Sequence, residues 1–143
     1  SQSIIYADTK GNIGYQMPGR IPFRPAGFTG QTPAPGWDSR FEWKGYIPYD
    51  LLPRAYNPAR GFIVAANQEV APPEYYAALN NRLGGAVNAN FGSRYNKWIY
   101  GYRGERINQL IKELGPHTTK TCQTMQGDTL HLSAGEVLPW LSV

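Results

Sequence analysis

The 143-residue sequence predicts an α+β fold, in which a β-hairpin, a long ordered loop and a buried strand precede helices. Two short β-prone runs around a turn cluster indicate the hairpin. The strand is indicated by GFIVAANQ, residues 61–68, whose apolar part would bury both faces. Apolar residues at helical spacing indicate helices in the last third of the chain. Because these strands alone make a thin sheet, we expect the chain to be part of a larger one.

The hairpin pairs residues 4–7 with residues 13–16 across a turn cluster that contains Gly11. From residue 18 to residue 58 the chain is rich in Pro, Gly and aromatic residues and has no helical period. An irregular stretch of this length is typical of an ordered functional or wrapping loop. We expect it to be ordered because several of its side chains need burial. These are Trp37, Phe41, Trp43, Tyr46, Tyr49, Leu51 and Leu52.

The helices are predicted from apolar spacing and end signals. Residues 73–82 favour a helical turn or two, and residues 104–114 favour the best-defined helix, which Gly115-Pro116 ends. A short helix with a threonine cap is expected over 118–126, and another over 135–141. The apolar side chains of the best-defined helix are Ile107, Leu110, Ile111 and Leu114.

The charge pattern argues against a nucleic-acid partner. The formal net charge of +4 comes from 14 basic and 10 acidic residues, which are scattered along the chain. Aromatic and basic residues alternate in residues 91–106, which we interpret as a packing segment with solvated charges. No apolar run reaches the ~20 residues of a membrane-spanning helix, so no membrane span is expected.

Cysteine and histidine spacing predicts neither a disulfide nor a metal site. Cys122 is the only cysteine, and His117 and His131 are the only histidines. A nucleophilic thiol needs an activating partner such as histidine, and sequence position places neither histidine beside Cys122. We therefore interpret Cys122 as a small residue on a helix face. The two histidines lack the spacing of a zinc motif.

The end of GFIVAANQ has two interpretations. A carboxamide held rigidly at the end of a buried strand can aim a donor at a developing negative charge. Asparagine after an apolar run is also a common turn former. Composition and periodicity leave both interpretations open for Asn67 and Gln68.

Five motifs in collinear order resemble the β-chain of the penicillin acylase family, whose members are N-terminal nucleophile hydrolases that cleave amide bonds. The resemblance implies that residues 1–143 are a single segment of such a β-chain, lacking its nucleophile-bearing N-terminal part. It also implies a partial αββα sandwich. The motifs are ADxxGNIGY at 7–15, W-x-G-x-x-P at 43–48, NPxxGFI with an Ala-Asn pair at 57–67, ERI at 105–107 and QxDT at 126–129.

The resemblance implies a mechanism and two site residues. The family's nucleophile is exposed at the β-chain N-terminus by self-cleavage of a precursor, and its own α-amino group is the base. An oxyanion hole is formed by a backbone N–H and an asparagine that matches Asn67. An arginine that organises the active site matches Arg106, which follows Glu105. An ion pair with Glu105 at the helix start is the competing interpretation of Arg106. Gln68 departs from the family, which often has a second asparagine there.

Ser1 is not expected to be the nucleophile. In the family, the hairpin segment lies well inside the β-chain, more than a hundred residues after the nucleophile. The residues after Ser1 match the strand that enters this hairpin. Ser1 is therefore interpreted as a cloning remnant or an internal residue, and the isolated chain is expected to have no amidase activity.

The resemblance also implies partners and a location. No cofactor is required for the chemistry, although a structural calcium ion is implied for the full-length enzyme. No carboxylate of this chain is assigned to that ion, and Glu74 is a loosely matching candidate. The expected partners are a small-molecule amide substrate and the remaining α- and β-chain segments of the precursor. Exposed apolar faces would favour homo-oligomers, and the family implies a periplasmic or secreted location.

The predicted function is hydrolysis of the amide of an acylated small molecule, of the penicillin or acyl-homoserine-lactone type, through an acyl-enzyme. The alternative is a non-catalytic, aromatic-rich β-module that binds carbohydrate or peptide through Trp37, Trp43, Tyr46 and Tyr49. The orientation of Asn67 distinguishes the two: it faces a cleft beside Arg106 in an acylase and caps a turn in a binding module.

Overall fold

The computed structural model describes residues 3–28, 32–84, 87–88 and 101–141. Ser1 and residues 91–100 of the aromatic and basic segment therefore lie outside the described residues. The chain divides into two compact units. Unit 1 comprises Ser1–Ile63 and Glu69–Trp98, and unit 2 comprises Val64–Gln68 and Ile99–Val143.

The predicted hairpin is confirmed in unit 1. Strand β1 (Ile4–Ala7) pairs antiparallel with β2 (Ile13–Gln16), and β2 pairs antiparallel with β5 (Arg54–Tyr56). Tyr6 lies opposite Gly14 in this three-stranded sheet. The turn fixes this register. A slip of one residue would move every side chain of the strand to the other face of the sheet.

A hydrogen-bonded network closes the hairpin turn. The carboxylate of Asp8 accepts from the backbone N–H and side chain of Asn12, at 2.9 and 2.8 Å, and from the Tyr6 hydroxyl at 2.8 Å. These bonds, led by the one from the Asn12 side chain, lower the Asp8 pKa to about 2. Asn57 then links the turn to β5, since it accepts from the N–H of Ile13 and donates to Asn12, at 2.8 and 2.9 Å.

The stretch predicted to be irregular contains short strands. Strand β3 (Pro22–Pro25) pairs with β4 (Gly45–Tyr46) and with β6 (Val87–Asn88), in a second antiparallel sheet of order β4-β3-β6. Single 3₁₀ turns lie at Ser39–Phe41 and Tyr49–Leu51. The sequence does not predict these strands because two to four residues are too few for an alternating pattern.

The core of unit 1 packs around Ile47, Leu52 and Leu79, the last from helix α1 (Pro73–Arg82). The Tyr75 hydroxyl of α1 donates to a backbone carbonyl beside this core. Helix α1 has ten residues and is longer than the one or two turns predicted. The partly buried residues around the core are Ile21, Phe23, Leu51, Tyr75 and Leu83.

Burial of the loop aromatics was wrongly predicted for four rings. Trp37 is 90% exposed and Trp43 is 58% exposed, whereas Leu52 is only 2% exposed. Tyr46 and Tyr49 are exposed as well. Two of these rings contact each other: Trp43 and Tyr46 meet edge to face, with centroids 6.2 Å apart. Their apolar character predicted burial, but the described chain supplies too few apolar partners to cover them.

The predicted helices of unit 2 are confirmed. Helix α2 (Tyr102–Glu113) ends just before Gly115-Pro116, and α3 (Thr119–Gln126) starts at the predicted threonine cap, Thr118. Helix α4 (Leu132–Leu141) begins three residues before the predicted start and ends where predicted.

GFIVAANQ is not a strand in the described chain, so this part of the fold prediction was wrong. Val64 and Ala66 are buried and Ala65 is exposed, as in extended backbone, but no strand is assigned to residues 61–68. A strand needs a partner for its backbone groups. The carbonyl of Val64 and both backbone groups of Ala66 are instead bonded by side chains.

Several apolar side chains are exposed on each unit, as the sequence led us to expect. They lie on the first sheet of unit 1 and on α4 of unit 2, and among the described residues no helix is long and apolar enough to cross a membrane. On the first sheet they are Ile4, Ile5, Tyr6 and Tyr56, and on α4 they are Val137, Leu138, Trp140 and Leu141.

Candidate active site

The candidate site lies in unit 2, where the segment Val64–Gln68 meets the first turn of α2. The Gln68 carboxamide fixes the backbone of this segment by folding back on it. Its Oε1 accepts from the N–H of Ala66 at 2.6 Å, and its Nε2 donates to the carbonyl of Val64 at 2.8 Å. A side-chain amide thereby pairs with a donor and an acceptor that a neighbouring strand would otherwise bond.

Asn67 turns the chain at the end of this segment. Its φ of 64° is in the left-handed region, which asparagine tolerates better than most residues. The turn interpretation of Asn67 is therefore correct for its backbone. Its side chain is exposed, and the chemistry of that side chain depends on which end of the amide is engaged.

Arg103, in the first turn of α2, holds the oxygen end of the Asn67 amide. Its Nη2 donates to Asn67 Oδ1 and, at 3.0 Å, to the carbonyl of Ala66. Because a guanidinium only donates, this contact assigns the oxygen of the amide to the arginine side. Within the described ranges Asn67 Nδ2 has no hydrogen-bond partner, so the N–H₂ end remains a donor for another group.

Gly104 lets α2 approach the segment closely. It is buried, and a Cβ built on it would lie 3.3 Å from Gln68 Cδ and 3.4 Å from Gln68 Oε1. Glycine inside a helix costs about 1 kcal/mol relative to alanine, so its presence here calls for a packing reason. The close approach to Gln68 supplies one.

Arg106 lies one turn after Arg103 and bonds elsewhere. Its Nε and Nη2 donate to the two carboxylate oxygens of Asp128, at 3.0 and 2.8 Å, and its Nη1 donates to Gln109 at 3.2 Å. The Asp128 hydrogen bond raises the Arg106 pKa, and the same bond lowers the Asp128 pKa. The pair joins α2 to the segment that follows α3.

The arginine that hydrogen-bonds Asn67 is Arg103 rather than Arg106. The described carboxylates that pair with Arg106 are those of Asp128, at 2.8 Å, and Glu113, at 3.7 Å, and the alternative pairing with Glu105 is not observed among the described ion pairs. The role of Arg106 in organising the active site stays a prediction. The sequence held one signal for Arg103: the next residue, Gly104, opens the predicted helix, and a glycine in a helical pattern usually has a packing or functional reason.

The remaining thiol, imidazole and carboxylate candidates have no described contact with Asn67, Gln68 or Arg103. Cys122 is an exposed free thiol, and His131 bonds Ser133 Oγ at 2.7 Å at the start of α4. Glu74 is exposed in the first turn of α1. Nowhere in the described part of the chain do three or more His, Cys, Asp or Glu side chains gather. The described residues therefore do not by themselves fit a calcium site.

Comparison with known proteins identifies the family. A family model described as penicillin amidase matches residues 1–143. The chain belongs to the penicillin amidase family. Its curated relatives are acylases. The acyl-homoserine lactone acylase QuiP of Pseudomonas aeruginosa is 36% identical over 130 residues, which is 91% of this chain and 13% of that protein. The penicillin G acylase of Escherichia coli is 41% identical over 73 residues, 51% of this chain and 8% of that protein.

A solved penicillin amidase supports the fold. The thermostable penicillin G acylase from Alcaligenes faecalis superimposes with a TM-score of 0.60 and 29% identity, covering 86% of this chain and 19% of that one. The predicted α+β fold of an N-terminal-nucleophile hydrolase is thereby confirmed. The chain spans about 13% of the length of its QuiP relatives.

Family membership favours the hydrolase prediction over a non-catalytic binding module. Asn67 combines features of both interpretations: its backbone forms a turn, and its amide leaves the Nδ2 end available as a donor. The exposed rings of Trp37 and Trp43 have no assigned role.

Proposed function

We propose that the full-length protein containing this chain is an amidohydrolase that cleaves the amide of an acylated small molecule through an acyl-enzyme. The substrate class follows its relatives, whose names specify acyl-homoserine lactones and penicillins. Asn67 supplies the side-chain donor of the oxyanion hole. Arg103 positions this donor, and the remaining α- and β-chain segments of the precursor complete the site.

The contact between Arg103 and Asn67 Oδ1 carries this proposal. When a nucleophile attacks the substrate carbonyl, the π electrons move to the oxygen, and an N–H aimed at that oxygen stabilises the charge. Asn67 Nδ2 is suited to this task because Arg103 holds the other end of the amide. The charge-assisted bond to Oδ1 also polarises the amide, which strengthens Nδ2–H as a donor.

The nucleophile and its α-amino base belong, in this proposal, to a part of the precursor outside this chain. Collapse of the tetrahedral intermediate expels the amine and leaves the acyl-enzyme, which water then hydrolyses. We expect the isolated chain to be inactive towards a chromogenic phenylacetyl-anilide. Turnover by the purified chain that Ser1→Ala abolishes would overturn this expectation.

Asn67→Ala in the matured full-length protein tests the oxyanion role. We expect kcat to fall by about 10²–10³-fold, equivalent to ~3–4 kcal/mol of transition-state stabilisation. Asn81→Ala, at an exposed position of α1, is the matched control and should leave kcat unchanged. Rates are normalised to the processed enzyme, measured by mass spectrometry of the β-chain. An Asn67→Ala enzyme with wild-type kcat would refute the role.

Two further proposals rest on the family alone. We propose that the full-length protein is periplasmic or secreted, which cell fractionation tests. We also propose that any structural calcium ion takes its carboxylate ligands mainly outside this chain. A Glu74→Gln protein should then retain the wild-type calcium stoichiometry and melting temperature, and loss of the ion from it would contradict this.

A further inference from the structure

The Gln68 side chain makes two of the four side-chain hydrogen bonds described around Asn67. The Gln68 carboxamide bridges the N–H of Ala66 and the carbonyl of Val64, at 2.6 and 2.8 Å. The bridge spans the residues immediately before Asn67. It therefore fixes the direction in which the chain enters the left-handed turn.

The bridge is held from outside by α2. The Gln68 carboxamide lies against Gly104, where an added Cβ would stand 3.3 Å from Cδ. A Cβ added to Gly101 would stand 4.0 Å from the Cβ of Gln68. Arg103, between these two glycines, bonds Ala66 and Asn67. The amide plane of Gln68 is thus confined between the loop it bridges and the helix that carries Arg103.

We propose that Gln68 is a positioning residue for Asn67, and that Gly104, which has no Cβ, leaves the room that the Gln68 carboxamide requires. This inference rests on the proposed oxyanion function of Asn67. Gln68 touches no substrate; it acts by fixing the backbone of Ala66, so that Arg103 and the Asn67 amide meet in one geometry. Its length matters, because an asparagine is one methylene shorter and cannot keep both bonds to Ala66 and Val64 without moving the loop.

Gln68→Met in the matured full-length enzyme is the first test. Methionine keeps an unbranched side chain of similar length against Gly104 but makes neither hydrogen bond. Because a displacement of about 1 Å at a catalytic group can cost about 100-fold in rate, we expect kcat to fall by about 10- to 100-fold. KM should stay within about twofold. Gln123→Met, at an exposed position of α3, is the matched control and should match the wild type.

A double-mutant cycle separates positioning from a general structural role. If Gln68 acts through Asn67, Gln68→Met should have no further effect on kcat once Asn67 is alanine. Multiplicative losses in the double variant would show that Gln68 acts independently of Asn67, and would overturn the inference. The single variants separate the two proposals. Wild-type kcat in Asn67→Ala defeats the proposed function, whereas loss there combined with wild-type kcat in Gln68→Met defeats this inference alone.

Gly104→Ala provides a readout that does not depend on removing Gln68. Alanine favours the helix, so a purely structural change should preserve or raise the melting temperature. Its Cβ nevertheless crowds the Gln68 carboxamide, and we expect kcat to fall by about 3- to 10-fold with no loss of melting temperature. If Gln68→Met does not mature, this variant decides: wild-type kcat in Gly104→Ala would overturn the proposal.

Discussion

Replacing Arg103 with methionine removes the group that holds the oxygen end of the Asn67 amide. The substitution keeps an unbranched side chain on α2 but eliminates the hydrogen bonds to Asn67 Oδ1 and to the carbonyl of Ala66. The Asn67 amide then rotates more freely, and its N–H₂ end is no longer polarised. We expect kcat of the matured enzyme to fall about tenfold.

The magnitude follows from the kind of bond that is lost. Hydrogen bonds to charged groups contribute roughly 1.5–3 kcal/mol, and the exposure of Arg103 and Asn67 favours the lower end of that range. About 1.4 kcal/mol corresponds to a tenfold change in rate. The loss should be smaller than that of Asn67→Ala, at ~3–4 kcal/mol, because the donor itself is retained. Arg103→Lys should fall between Arg103→Met and the wild type, since it keeps the charge but not the fork.

Steady-state hydrolysis of a chromogenic amide by the matured full-length enzyme measures the effect. We expect kcat to fall and KM to remain within about twofold, because the oxyanion is present in the transition state and not in the bound substrate. Arg82→Met, at an exposed arginine in the last turn of α1, controls for loss of a surface charge. Wild-type kcat in Arg103→Met, after normalisation to the processed enzyme, would refute the assignment of Arg103 as the residue that positions Asn67.

Four further outcomes are expected of the full-length protein. Arg106→Met should lower the melting temperature because it strips Asp128 of its bidentate partner; unchanged kcat in that variant would contradict the predicted organising role. The folded pKa of Asp8 is about 2, below its usual 3.8, so its contribution to stability is complete above about pH 4 and is lost as the pH falls through 2. Acid-unfolding profiles should show this loss in the wild type and not in Asp8→Asn. Thr118→Ala should cost about 1 kcal/mol in urea unfolding while Thr118→Ser costs little; equal losses would argue against the cap. Leu52→Ala should cost about 2–5 kcal/mol and Leu52→Met less than about 1.5; similar values for both would show that the core tolerates a cavity there.

Local features of the fold could be predicted because neighbouring residues determine them. The hairpin follows from its turn residues, whose polar groups are satisfied within the turn by Asp8 and Asn12. The start of α3 follows from Thr118, which exchanges hydrogen bonds with Thr121 in a reciprocal cap. The short strands β3 and β4 could not be predicted, because each exists only through its partner across the sheet.

The family, and Asn67 as a candidate oxyanion donor, could likewise be predicted from motifs in order along the chain. The arginine that bonds Asn67 could not be predicted in this way. Arg103 and Arg106 are three residues apart, so they lie on neighbouring sides of one helix and differ by about 4.5 Å along its axis. Sequence periodicity does not resolve which of two such residues reaches a segment more than 30 positions away.

The sequence by itself determined the local elements, the family and the position of the asparagine. Tertiary structure decided that GFIVAANQ is bridged by its own Gln68 rather than paired as a strand, and that Arg103 rather than Arg106 meets Asn67. The physical reason is the same in both cases. Apolar pattern and turn chemistry act over a few residues, whereas the hydrogen-bond partners of a buried backbone depend on what the folded chain brings beside it.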